Sequence, residues 1–178
     1  MSVVAARSPV AAMPGRRSAT IDAAVCLALT AALAHAVGTP AHLRGWLASG
    51  LFFLALSIGQ ALLAGALFGG ASSSRLLVTA VWAHVAVVAL YVWSRTAGLP
   101  FAPPVYAHGG SRGGSGRSIV PGAVEKVGSL DLLTLGAELL LVLVLVSMMD
   151  ERVRRLTTTE MMAVGLALWG LAAIGVLA

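Results

Sequence analysis

The chain of 178 residues is 58% hydrophobic and only 11% charged, where a soluble domain carries about a quarter charged residues. A single water-soluble core of this length cannot hide that excess, so lipid is the expected solvent. The net charge of +5 comes from twelve Lys and Arg against seven acids, and the absence of a basic tract interleaved with aromatics argues against a nucleic-acid partner.

Residues 1–20 read as a cytoplasmic tail carrying Arg7, Arg16 and Arg17. Five apolar segments follow, near 21–38, 44–68, 76–94, 130–149 and 160–178, and each can cross ~30 Å of hydrocarbon at ~1.5 Å per residue. The expected architecture is therefore all-α, an integral membrane bundle of five transmembrane helices in one domain over 21–178. The first segment, within "GRRSATIDAAVCLALTAALAHA", also fits a cleavable signal peptide. Its length favours retention, and Arg16 and Arg17 lack the hydrophobic followers of a twin-arginine signal. The single cysteine, Cys26, cannot form an intramolecular disulfide.

With the N-terminus inside, seven basic residues lie on the inner side (Arg7, Arg16, Arg17, Arg75, Arg152, Arg154, Arg155) and five on the outer (Arg44, Arg95, Arg112, Arg117, Lys126). That bias predicts a cytoplasmic N-terminus and an extracytoplasmic C-terminus. The connection over 95–129 is long, and its glycine-rich centre, "HGGSRGGSGRS", reads as a mobile extracytoplasmic loop. Met148, Met149, Met161 and Met162 bracket the short basic turn between segments four and five. They read as interfacial apolar residues, although thioethers also suit Cu(I).

Helical spacing aims the polar residues inward. Ala28, Ala31, Ala32 and His35 share a face on the first helix, whose small residues permit close approach in lipid. His42, Ser49, Phe53 and Gln60 form a stripe assigned to the second helix; His84, Tyr91 and Arg95 align on the third, and Asp131, Thr134 and Glu138 on the fourth. The fifth segment has no ionisable residue after Glu160 and reads as a lipid-facing wall.

An ionised carboxylate in lipid must be paired, protonated or hydrated. The expected cluster is Arg95 with Glu138 and Asp131, beside Tyr91, either as an ion pair that fixes the packing of helices three and four or as a proton- or ligand-responsive site. His35 and His42, flanking a Gly-Thr-Pro turn, read as a hydrogen-bonding pair; with Glu138 they would make a Cu or Zn site, although no cofactor is the simpler expectation. Gln60 and His84 read as polar core. A haem shared by mid-membrane His84 and a shallow His35 is geometrically awkward.

The sequence contains no Gly-x-Ser-x-Gly elbow, HExxH, Walker lysine or dinucleotide fingerprint. The expectation is a non-enzymatic protein, an accessory or structural subunit of a membrane complex, whose partners are the bilayer and other subunits or a second copy. The alternatives are a metal- or small-ligand-binding membrane protein and a small transporter.

The strings "HLRGWLASGLFFLALSIGQALLAGAL", "VWSRTAGLPFAPP" and "VEKVGSLDLLTLGAELLLVLVL" resemble a group of small uncharacterised multi-helix membrane proteins of high-GC Gram-positive (actinobacterial) bacteria. The resemblance covers roughly residues 40–149. Its marks fall on His42, Trp46, Gln60, Ser94, Arg95, Thr96, Gly98, Pro100, Glu125, Val127, Gly128, Asp131 and Glu138. Two departures are "PFAPP", where a Gly-Pro pair is more usual, and the glycine-rich insert before Glu125. The resemblance implies a bacterial plasma-membrane location and the coupling of Arg95 to the acids, and it brings no activity with it.

Overall fold

The computed structural model describes the backbone of residues 18–96 and 128–177, and the side chains within it other than 95, 96, 168, 169 and 171–177. The expected tail and most of the expected long loop lie outside these residues. The described backbone is helical, in five elements: α1 (Ala19–Gly45), α2 (Leu47–Phe68), α3 (Ser74–Thr96), α4 (Ser129–Ser147) and α5 (Glu151–Leu177).

Four of them, α1 to α4, are long and apolar enough to cross a membrane. Their outward surfaces carry large aliphatic side chains such as Leu33, Leu62, Leu132 and Leu143, all exposed, while His35, Gln60, His84 and Glu138 are buried. Apolar groups outside and polar groups inside suit lipid as solvent.

The starts of α1, α3 and α4 are fixed locally. The Ser18 hydroxyl accepts from the Ile21 N–H at 3.3 Å, Ser73 does the same for Leu76, and the Asp131 carboxylate reaches back to the Gly128 N–H at 2.9 Å. Such caps satisfy donors that a first helical turn leaves open.

The "GTPAHLR" stretch, expected as a loop, is helical. α1 runs through Pro40 to Gly45, because an internal proline costs a helix only its own N–H and local crowding, which membrane helices tolerate. His42 therefore belongs to the last turn of α1, not to the second helix. The break is a single extended residue, Trp46, and α2 folds back at once. This elbow requires Gly50: a Cβ there would lie 2.6 Å from the Leu43 Cα, a separation that only a missing side chain permits.

The fifth expected span needs correction too. The "DERVRRLTTTE" stretch is the beginning of α5, not a loop, and α5 does not qualify as a membrane span among its described residues. Glu151, Arg152, Arg154, Arg155 and Glu160 make its first three turns charged, which suits the water boundary. The Glu151 carboxylate pairs with Arg155 at 3.1 Å along one exposed face.

α4 packs against both α1 and α3, and α2 packs against α1. The four apolar helices thus follow one another in space as α2, α1, α4, α3. The inner face of α1 is alanine (Ala24, Ala28, Ala31, Ala32), all buried, so backbones approach closely there. Leu67, Leu77, Val81, Leu141 and Leu145 complete the core toward the α2–α3 turn. Met149 is buried at that end and Met161 packs against the same core, whereas Met162 is exposed.

Candidate functional site

The polar residues near the middles of α1 to α4 converge on Glu138, which occupies the tenth of the nineteen positions of α4 and is 2% exposed. Its Oε1 accepts a hydrogen bond from Gln60 Nε2 at 2.6 Å. The amide oxygen of Gln60 accepts from His35 Nδ1 at 2.9 Å, and that nitrogen stands 4.0 Å from Glu138 Oε1. From α3, His84 Nε2 stands 3.7 Å from Glu138 Oε2. One carboxyl group therefore meets side chains from all three other apolar helices.

The direction of each bond follows from the groups. His84 Nδ1 lies 2.7 Å from the Ala80 carbonyl, which can only accept, so Nδ1 carries the proton. In the neutral ring Nε2 is then a bare acceptor. Neither His84 Nε2 nor Glu138 Oε2 has a hydrogen-bond partner among the described residues, and both atoms are buried. Two acceptors that face each other at 3.7 Å lack a hydrogen between them.

Beside this pair, a crevice of about 400 Å³ runs between α2 and α3. Leu56, Leu63, Leu76 and Val87 contribute to its walls, and Gln60 and His84 are its polar residues nearest Glu138.

His42 belongs to a separate arrangement. Its ring stacks on Phe53 with centroids 3.8 Å apart, and its Nδ1 lies 3.0 Å from the Ser49 hydroxyl. Phe53 meets His35 edge-on at 5.4 Å, so the phenyl ring stands between the two histidines. The structure brings His35 to Glu138 and leaves His42 at the elbow. Among the described residues no group of three or more His, Cys, Asp or Glu is arranged to hold a metal ion.

Asp131 caps α4 two turns from Glu138, and Tyr91 lies two turns along α3 from His84. The Arg95 side chain falls outside the described residues, and with it the expected ion pair. Sequence spacing identified Gln60 and His84 as inward-facing but not their connection through Glu138. The available signal was depth, since both sit near the middle of an apolar run as Glu138 does.

Compared with described protein families, with curated proteins and with solved structures, the chain matches none.

Proposed function

We propose that this chain is a non-enzymatic multi-pass protein of the bacterial plasma membrane, with its N-terminus cytoplasmic, that serves as a small accessory or structural subunit of a membrane complex. The observation that supports this reading is the single carboxyl group of Glu138, which is hydrogen-bonded by Gln60 of α2 and faced by His35 of α1 and His84 of α3. A buried polar knot of this kind fixes helix register where lipid supplies no hydrophobic drive for association. The aliphatic outer faces of the helices are then available to lipid, to partner subunits or to a second copy. The basic residues Arg75, Arg152, Arg154 and Arg155, together with the likeness of residues 40–149 to small actinobacterial membrane proteins, support the compartment and orientation.

Crosslinking in native membranes followed by mild-detergent purification tests this. The expected product is a defined assembly larger than the 18.1 kDa chain; recovery of the chain alone would overturn it.

A second reading, small-ligand binding, is favoured by His84, which lines the α2–α3 crevice and whose Nε2 has no hydrogen-bond partner among the described residues.

A further inference from the structure

We propose that the bundle centre is a binding site for one proton, held on Glu138 Oε2 and directed at His84 Nε2, so that a neutral acid donating to a neutral imidazole joins α4 to α3. The inference goes beyond both readings of the protein's role and depends on neither.

The site follows from where the hydrogens are. His84 Nδ1 gives its hydrogen to the Ala80 carbonyl at 2.7 Å, which leaves Nε2 with a lone pair and nothing to donate. The Gln60 amide is oriented by His35, whose Nδ1 lies 2.9 Å from Gln60 Oε1, so the Gln60 NH₂ faces Glu138 Oε1 and that oxygen accepts at 2.6 Å. Glu138 Oε2 has no donor among the described residues. The titratable groups that face the carboxyl from other helices are His35 of α1 at 4.0 Å and His84 of α3 at 3.7 Å, and α2 contributes the uncharged Gln60. No Lys or Arg among the described residues stands within ion-pair distance of it.

An ionised Glu138 would therefore hold a full charge at the middle of α4 on one neutral hydrogen bond, an arrangement that an apolar bundle strongly disfavours. One proton removes that charge and supplies the hydrogen that Oε2 and Nε2 lack between them. On Oε2 it leaves two neutral groups, whereas on Nε2 it would leave two desolvated charges.

The surroundings admit no other occupant. Both atoms are closed to solvent, and the α2–α3 crevice is lined by His84 but not by Glu138, so a molecule in the crevice does not reach the space between them. Their separation of 3.7 Å exceeds an O–H···N hydrogen bond by about 1 Å, a distance that rotation of the carboxyl about its Gln60 contact closes. Closure also means that the proton exchanges with water only when α3 parts from α4. Losing it in place sets a carboxylate against a bare acceptor, so the bound proton locks α3 onto α4, which packs against it.

Infrared spectroscopy of the full chain in a detergent without carbonyl groups tests this, because the C=O stretch of a neutral carboxyl lies apart from amide and carboxylate bands. Near neutral pH the parent chain is expected to show such a band, Glu138→Gln to lose it, and His84→Phe to keep it at a higher frequency, since the acid has lost its acceptor. Transfer to D₂O should lower the frequency only after the exposed amides have exchanged, because exchange requires local opening. Nitrogen NMR of histidine-labelled chain should report His84 as a neutral ring protonated at Nδ1 alone. The proposal is overturned by the absence of a neutral-acid band in the parent, by a band that survives Glu138→Gln or is unmoved in His84→Phe, by a D₂O shift as fast as the exposed amides, or by a His84 ring protonated at both nitrogens. The parent spectra decide on their own if a variant fails to fold. The assembly test of the structural reading is separate, because its product is recovered whether or not Glu138 holds a proton.

Discussion

Gln60 Nε2 donates to Glu138 Oε1 at 2.6 Å while the same amide accepts from His35 Nδ1, so one side chain of α2 joins α1 to α4. Removing it strands a buried carboxyl and a buried imidazole donor together. Gln60→Leu is expected to cost about 1–3 kcal/mol, the range for hydrogen bonds to charged or buried groups. Glu138→Leu should cost a similar amount. The double variant should lose less than the sum by about 0.5 kcal/mol or more, because the second change removes the group that the first stranded. Reversible unfolding in mixed micelles measures the cycle, and strictly additive losses would show that the contact carries no coupling.

The four apolar helices and the inward polar faces were legible because hydropathy and the 3.6-residue repeat act locally. Ala28, Ala31, Ala32 and His35 are indeed buried together. The grouping of the polar residues was less legible, for a reason visible at His35. A helix ending near residue 38 leaves His35 close to a membrane boundary; α1 instead runs ten residues beyond it to Gly45, about 15 Å by helix rise. His35 is thereby level with Glu138 and His84. His42 likewise changes helix at Trp46, and no periodicity distinguishes a proline that ends a helix from one that a helix accommodates. α5 differs in the opposite way: the helix begins earlier than the apolar run, within charged residues that the sequence pattern assigns to a loop.

Two glycines of α2 should respond oppositely to the same change. Gly50→Ala places a methyl group against the Leu43 backbone at the elbow and should cost about 1–3 kcal/mol through overpacking. Gly59→Ala meets nothing within 4 Å and should be neutral or stabilise by up to about 1 kcal/mol through helix propensity. Comparing melting temperatures of the two purified variants checks the elbow geometry independently of the polar network.

The Ser74 hydroxyl lies 3.5 Å from the Asp150 carboxylate, so the α2–α3 and α4–α5 turns share one end of the bundle. Because Cys26 is the only cysteine, a Cys26→Ala chain is a clean background for membrane-impermeant thiol labelling. Ser72→Cys and Glu151→Cys should label from the same side of sealed vesicles, and Gly45→Cys from the opposite side. Labelling of Ser72→Cys and Glu151→Cys from different sides would contradict the four-span arrangement.

The most discriminating single change is Glu138→Gln. If Glu138 acted only as an ion-pairing charge, neutralising it should destabilise the bundle as much as deleting it. The geometry predicts otherwise. A glutamine at 138 can still accept from Gln60 through its oxygen, and its NH₂ can donate toward His84 Nε2, the atom that Glu138 leaves without a partner. Glu138→Gln should therefore retain stability within about 0.5 kcal/mol of the parent, the band of changes that break no feature, whereas Glu138→Leu should lose about 1–3 kcal/mol by stranding the Gln60 amide donor. His84→Phe removes the acceptor and should narrow the difference between glutamine and leucine at 138. A difference that does not narrow in the His84→Phe background would place the benefit of glutamine at Gln60 alone, and remove His84 from the network.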